Sequence, residues 1–365
     1  MATVETTDEA SVGGDSWPGG GGRDAGSPPG VAAPTVRMIE FQDGLRLAHL
    51  LCAIAEIGVA DAVPPDGAIG VAELAERTGT NPGTLYRALR AVASRGVFTE
   101  VAPATFALTP LAATLRSDAA GSLRDTFRLQ GQPFIREAYA AIGHSLRTGE
   151  PSFEHVHGTS LFSYLRTRPE ASQLFSDAMG NAARQVQRAA LEAYDLSGAR
   201  RLVDVGGAHG QLVAAVLARY PTLTGVVFDR PEVVPGAADV LRAAGVADRA
   251  ELVGGDYLRS VPGGGDVYVI SHVTHQLSDE DAVTVLTNIR AVMAPNARIV
   301  IIDPVIPDGD VAHPGKFMDI TMMALTWGRD RTEAEFSDLF ARSGLRHART
   351  VALSAPSSVV VATAA

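Results

Sequence analysis

The chain has 365 residues, 46% hydrophobic and 20% charged, with a formal net charge of -10. That length accommodates two domains with their own cores, and an acidic chain repels phosphate backbones, so nucleic acid is not expected as a partner. A single cysteine, Cys52, excludes an intrachain disulfide and fits a reducing cytoplasm, and no apolar run is long enough to engage a membrane by spanning it.

Residues 1–34 are rich in Gly, Ser, Asp and Pro, including Gly19-Gly20-Gly21-Gly22 and Pro28-Pro29. Such a stretch does not repay ordering entropy and reads as a disordered tail. It is also the wrong chemistry for a secretory signal or an Arg-rich transit peptide. From Val36 the pattern turns helical, with Met38, Leu45, Leu47, Leu50, Leu51, Ile54 and Ile57 forming a broad apolar stripe. Cys52 lies in this stripe and reads as a small core residue. A helix over 71–78 stops at Gly79, and Asn81-Pro82 caps and opens the next, which runs to Gly96. Two strand-like runs follow, 97–100 and 105–108. Helix, turn, helix and hairpin make a winged-helix pattern over 35–115. Arg87, Arg90 and Arg95 on its second helix raise a DNA-binding regulator as an alternative. Asp61, Asp66, Glu73, Glu76 and Glu100 leave no dominant basic face, which favours a dimerisation role.

Residues 116–198 read as a helical connector punctuated by Phe153, Phe162, Tyr164, Phe175 and Met179. His155 and His157, before Gly158, read as surface-loop histidines. From 199 to 365 strands and helices alternate. Apolar strands are expected over 201–205, 225–229, 266–270, 298–303 and 359–362, with helices over 212–220 and 281–293. This pattern predicts a buried parallel sheet of the α/β class.

The chemistry concentrates after the first of these strands, in Val203-Asp204-Val205-Gly206-Gly207-Ala208-His209-Gly210. Glycines there let the backbone turn sharply and approach a ligand closely. Asp229 ends the next strand, where a carboxylate can accept both hydroxyls of a ribose. Asp256 and Tyr257 follow the strand after that and suit an adenine amino group and ring. The spacing is not Gly-x-Gly-x-x-Gly, and no phosphate-loop lysine follows. Asp204, Gly206, Asp229, Asp256 and Tyr257 therefore point to a nucleoside cofactor without phosphates, such as S-adenosylmethionine, rather than NAD or ATP.

Several stretches together carry a family resemblance: Leu85 to Phe98, Phe106 to Leu111, Asp204 to Gly207, Phe228 to Pro231, Gly255 to Tyr257 and Arg331 to Phe336. From Val36 onward the chain resembles the small-molecule O-methyltransferases of plant phenolic and bacterial polyketide or antibiotic pathways. The resemblance implies a Rossmann-like class I methyltransferase domain preceded by a helical winged-helix dimerisation domain. It implies a homodimer whose winged-helix domain helps close the partner's pocket, and it adds Ser271 to the cofactor positions. Methyl transfer to a phenol requires removal of a proton of pKa near ~10, and histidine is the natural base. By resemblance that base is His275, supported by Asp303 and Asp330, each an Asp where many plant members carry Glu. Phe175, Met179, Met322 and Trp327 match the pocket wall for an aromatic acceptor. Gln276-Leu277 stands where the family has Asp-Trp. Some relatives keep the cofactor but methylate carbon, hydroxylate, decarboxylate or catalyse pericyclic rearrangement, and these are the alternatives to O-methylation. His272, His275 and Asp303 also allow a metal site on paper, but no cysteine or carboxylate cluster accompanies them, and no metal is expected.

Overall fold

The computed structural model describes residues 33–354 and 356–365. The tail assigned to 1–34 thus lies outside the described residues, apart from Ala33 and Pro34, which begin the first helix. The chain divides into two compact units, Met1–His49 and Leu50–Ala365. The described part of the first unit is the opening stretch of the helix Ala33–Ile57. On it Met38, Phe41 and Leu45 are exposed, spaced so as to share one face.

In the second unit, strands β1 (Ala68–Gly70), β2 (Thr99–Ala102) and β3 (Thr105–Ala107) form a small antiparallel sheet in the order β1-β3-β2. Helices Val71–Thr78 and Pro82–Ala93 lie between β1 and β2. The second is started as its sequence dictates, with the Asn81 side chain accepting from the backbone of Gly83 and Thr84 and Pro82 in the first turn. Val97 and Phe98 precede the hairpin rather than joining it, because Phe98 adopts a φ of 65°. The segment from Arg124 to Ala193 is a run of helices. His155 and His157 belong to its helix Ser152–His157, not to a loop. The His155 ring stacks on His144 at 3.9 Å, and His157 Nε2 is 2.9 Å from the Phe134 carbonyl oxygen.

The large sheet contains β4 (Arg201–Val205), β5 (Thr224–Asp229), β6 (Ala250–Gly254), β7 (Val267–Ser271), β8 (Arg298–Asp303), β9 (Leu345–Ala352) and β10 (Ser358–Ala364). Their order is β6-β5-β4-β7-β8-β10-β9. The five strands from β6 to β8 are parallel, whereas β10 runs antiparallel to both neighbours. The parallel sheet expected from the sequence thus carries an antiparallel strand at this edge. Alternate residues face two cores. Leu202, Val267, Val269, Val300 and Val359 pack under the helix Gln211–Arg219. Val203, Val205, Ile270, Ile301 and Val360 pack under the helices Asp279–Val292 and Glu333–Arg342. Burying each such side chain contributes about 1.5–3 kcal/mol. After β4 the chain builds outward in one direction, and with β7 it switches to the other. Ligands of open α/β sheets bind in the crevice at such a switch point, outside the carboxyl ends of the strands.

Candidate active site at the sheet switch point

The glycine-rich turn joins β4 to the helix Gln211–Arg219. Gly206 has a φ of 80°, and a Cβ there would sit 2.6 Å from Val273 Cγ2. A Cβ at Gly207 would sit 2.8 Å from Asp204 Oδ2. Both glycines therefore let the backbone pack where a side chain would collide with Val273 or Asp204. Asp204 is buried beneath the turn, and its pKa is pushed up to about 7 by burial and by the nearby Asp229 charge. Asp229, at the end of β5, accepts from Ala208 N at 2.9 Å and from Arg230 N at 2.7 Å. It thus sits at the rim of the turn, partly exposed. Tyr257 is half-buried beside it, and burial with the Asp229 charge pushes the phenol up to about 12. Asp256 is exposed, with Oδ1 accepting from Leu258 N at 3.0 Å. Ser271 ends β7, its hydroxyl 3.2 Å from His272 Nδ1.

The contact of Gly206 with Val273 ties this turn to the segment that carries His275. His275, Asp303 and Asp330 come together in the interior, although 28 and 55 residues separate His275 from its two partners. His275 Nδ1 is 3.1 Å from Asp330 Oδ1, and its backbone N donates to Asp303 Oδ2 at 3.2 Å. Thr274 Oγ1 donates to the same Asp303 oxygen. Asp303 Oδ1 and Asp330 Oδ2 are buried without a hydrogen-bond partner, so both carboxylates keep acceptor capacity in reserve. Burial alone would lower the His275 pKa, but Asp303 and Asp330 outweigh it and the net shift is upward. His272 behaves oppositely: burial takes it down to about 4, so it stays neutral. Its backbone is left-handed, with a φ of 54°, and its Nε2 is 3.2 Å from Ser357 Oγ. The Gln276 side chain folds back to donate to the His272 carbonyl at 2.7 Å. Among the described residues, no group of three or more His, Cys, Asp or Glu side chains is arranged to hold a metal.

The residues assigned to an acceptor pocket are more scattered. Phe175 lies in the helical segment, edge-on to Phe162 at 6.1 Å, and Met179 on the same helix is exposed. Met322 is buried on the helix Pro314–Leu325. Trp327 is half exposed, and its indole N–H donates to Glu154 at 3.1 Å. Two residues that the sequence reading did not single out hold the His275 segment in place. Gly328 packs so closely that a Cβ would overlap the carbonyl oxygen of His275 and the backbone of Gln276. Arg331 is wholly buried and binds Thr274, Leu277 and Asp279. Its only sequence signal was its place in the Arg331-Thr332 stretch that opens a helix with a capping box.

A largely parallel sheet with a glycine turn after β4 and a carboxylate ending β5 defines a nucleoside-binding α/β enzyme. The comparisons with known proteins narrow this class. An O-methyltransferase domain profile matches residues 139–346, and an O-methyltransferase dimerisation domain profile matches residues 39–118. The phenazine O-methyltransferase of Lysobacter antibioticus is 38% identical over 325 residues, 89% of this chain and 95% of that protein. The 8-amino-8-demethylriboflavin N,N-dimethyltransferase of Streptomyces davaonensis is 35% identical over 313 residues, 84% of this chain and 89% of that protein. A methyltransferase of calicheamicin biosynthesis, solved in its S-adenosylhomocysteine-bound form, superimposes with a TM-score of 0.82 at 35% identity, covering 92% of this chain and 100% of that one. The chain belongs to the O-methyltransferase family, with a dimerisation domain followed by a class I methyltransferase domain.

Proposed function

We propose that this protein transfers a methyl group from S-adenosylmethionine to a phenolic hydroxyl of a small aromatic secondary metabolite, with His275 as general base. The observation that carries this reading is the buried His275–Asp330 pair, joined to the glycine turn through Val273. If Nδ1–H donates to Asp330, Nε2 is left as the basic nitrogen and accepts the phenolic proton. Asp303 fixes the backbone of His275 and, with Asp330, stabilises the imidazolium once the proton has moved. The glycine turn at Gly206 and Gly207, packed on Val273 and Asp204 and flanked by Asp229 and Tyr257, suits a nucleoside lying across its backbone. Asp204, Asp229, Asp256, Tyr257 and Ser271 would hold it. S-adenosylmethionine supplies a methyl group already activated on a sulfonium. Phe175, Met179, Met322 and Trp327 would wall the acceptor.

Calorimetry with S-adenosylmethionine and S-adenosylhomocysteine tests the cofactor half of this reading, and absence of heat with both overturns it. Asp229→Ala is expected to weaken binding by about 1.5–3 kcal/mol for each charged hydrogen bond lost. Mass spectrometry of products from a phenolic library tests the chemistry. A gain of one methyl at oxygen supports the reading, while methylation at carbon or nitrogen, or an isomer of unchanged mass, redirects it.

The same reading places a dimerisation domain at 35–115, a helical connector at 116–198 and the cofactor-binding domain at 199–365, in a cytoplasmic homodimer. Its support is the exposed face of Met38, Phe41 and Leu45, at 66%, 61% and 62%, which a second copy would cover. Light scattering is expected to give twice the chain mass of 38.1 kDa, and Phe41→Asp with Leu45→Asp to give a monomer.

A further inference from the structure

Arg331 is the largest fully buried side chain among the described residues. A buried guanidinium is costly unless every donor is met, and here each of its five N–H groups has an acceptor. Nε donates to Asp279 Oδ1 at 3.0 Å. Nη1 donates to the carbonyls of Thr274 at 2.8 Å and Arg329 at 3.2 Å. Nη2 donates to the Leu277 carbonyl at 3.0 Å and to Asp279 Oδ1 at 2.8 Å. Thr274 and Leu277 bracket His275, and Arg329 precedes Asp330. One planar group therefore grips both strands of chain whose side chains meet in the His275–Asp330 pair.

We propose that Arg331 is a positioning residue for methyl transfer, its guanidinium setting the turn that carries His275 so that the imidazole faces the acceptor. This rests on the reading of His275 as base. The geometry has an electrostatic companion. The groups facing His275 are His272, Asp303, Asp330 and Arg331, with Asp319 behind Asp330 and Asp279 behind Arg331. Two carboxylates push the imidazole pKa up, and Arg331 opposes them. On Asp330, burial favours the neutral acid, while the imidazole and Arg331 favour the carboxylate. Arg331 thus biases the imidazole toward its neutral form and Asp330 toward its carboxylate, against net shifts that run upward for both.

The test compares Arg331→Lys and Arg331→Met in the full-length enzyme, with melting temperature, steady-state pH profiles and histidine-selective NMR titration. Arg331→Met is expected to lose about a hundredfold in kcat, the scale of a displacement of about 1 Å, with KM for S-adenosylmethionine unchanged. The acid limb of its profile is expected to move to higher pH. Arg331→Lys keeps the charge but lacks the planar fork. It is expected to restore the position of the limb without restoring kcat, and it serves alone if the methionine variant does not fold. Wild-type kcat in the folded lysine variant overturns the proposal, as do His275 resonances that neither variant moves. Full turnover in His275→Ala overturns the base reading instead, and leaves the NMR result standing on its own.

Discussion

His275→Ala is expected to lower kcat by about 10²–10⁴-fold, the usual worth of a positioned general base, while the affinity for S-adenosylmethionine measured by calorimetry stays at the wild-type value. The separation follows from the geometry: His275 contacts Asp303 and Asp330, whereas Asp229 contacts the glycine turn. The base works only when neutral. Because the His275 pKa is raised above 6.5, the acid limb of kcat/KM in the wild-type enzyme is expected to lie above that value, and turnover to fall as pH drops through it. Stability has the opposite sign. A histidine whose folded pKa is raised contributes stability that is fully present below the unfolded pKa of 6.5 and is lost as pH rises through the folded pKa. Denaturant titrations across that window are expected to show this slope in the wild type and to lose it in His275→Ala. A variant with undiminished kcat removes His275 from the base role.

Gly328→Ala is expected to damage the enzyme without touching a titratable group. The added methyl would overlap the His275 carbonyl oxygen and the Gln276 backbone, and backbone cannot swing aside as a side-chain tip can. Overpacking of this kind costs about 1–3 kcal/mol. At roughly 2–4 °C per kcal/mol for a domain of this size, the melting temperature is expected to fall by roughly 2–12 °C. The His275 segment would be pushed from its place, so kcat is expected to fall in the surviving folded fraction. Gly79→Ala is the control: nothing lies within 4 Å of a Cβ there, so its strain is that of a φ of 64° alone. Equal melting temperatures for wild type and Gly328→Ala would show that the packing has slack.

Much of the fold was legible because the relevant residues obey simple periodicities. The strands β4, β5, β7 and β8 are short apolar runs, with a glycine after β4 and an acid ending β5 and β8, and both faces of the sheet are covered. Three strands escaped, the short β1 of the small sheet and two of the large one. β6 is an edge strand, largely exposed along Ala250–Gly254. β9 carries Arg346, His347 and Arg349 on another edge, where charge guards against aggregation and hides the strand signal. The direction of β10 was not readable either, since Val359-Val360-Val361-Ala362 is equally apolar in either sense. At the site, Asp204, Asp229 and His275 were legible because the first two lie at the carboxyl ends of strands and the third lies just beyond one. Arg331 was not, because a charged residue is ordinarily exposed and only tertiary structure reveals carbonyls gathered around it. The acceptor residues were least legible. Met322 and Trp327 lie five residues apart, yet one is buried and the other is tied to Glu154 at the surface.

The place of β10 has a consequence for how this enzyme is made. β10 is synthesised after β8 and β9 but inserts between them, pairing Ser358 with Asp303. Until it leaves the ribosome, β8 has one open flank, and the carboxylate that anchors His275 lies at that unfinished margin. The margin beside Asp303 is thus completed by a pairing of long sequence separation, the slowest kind to form.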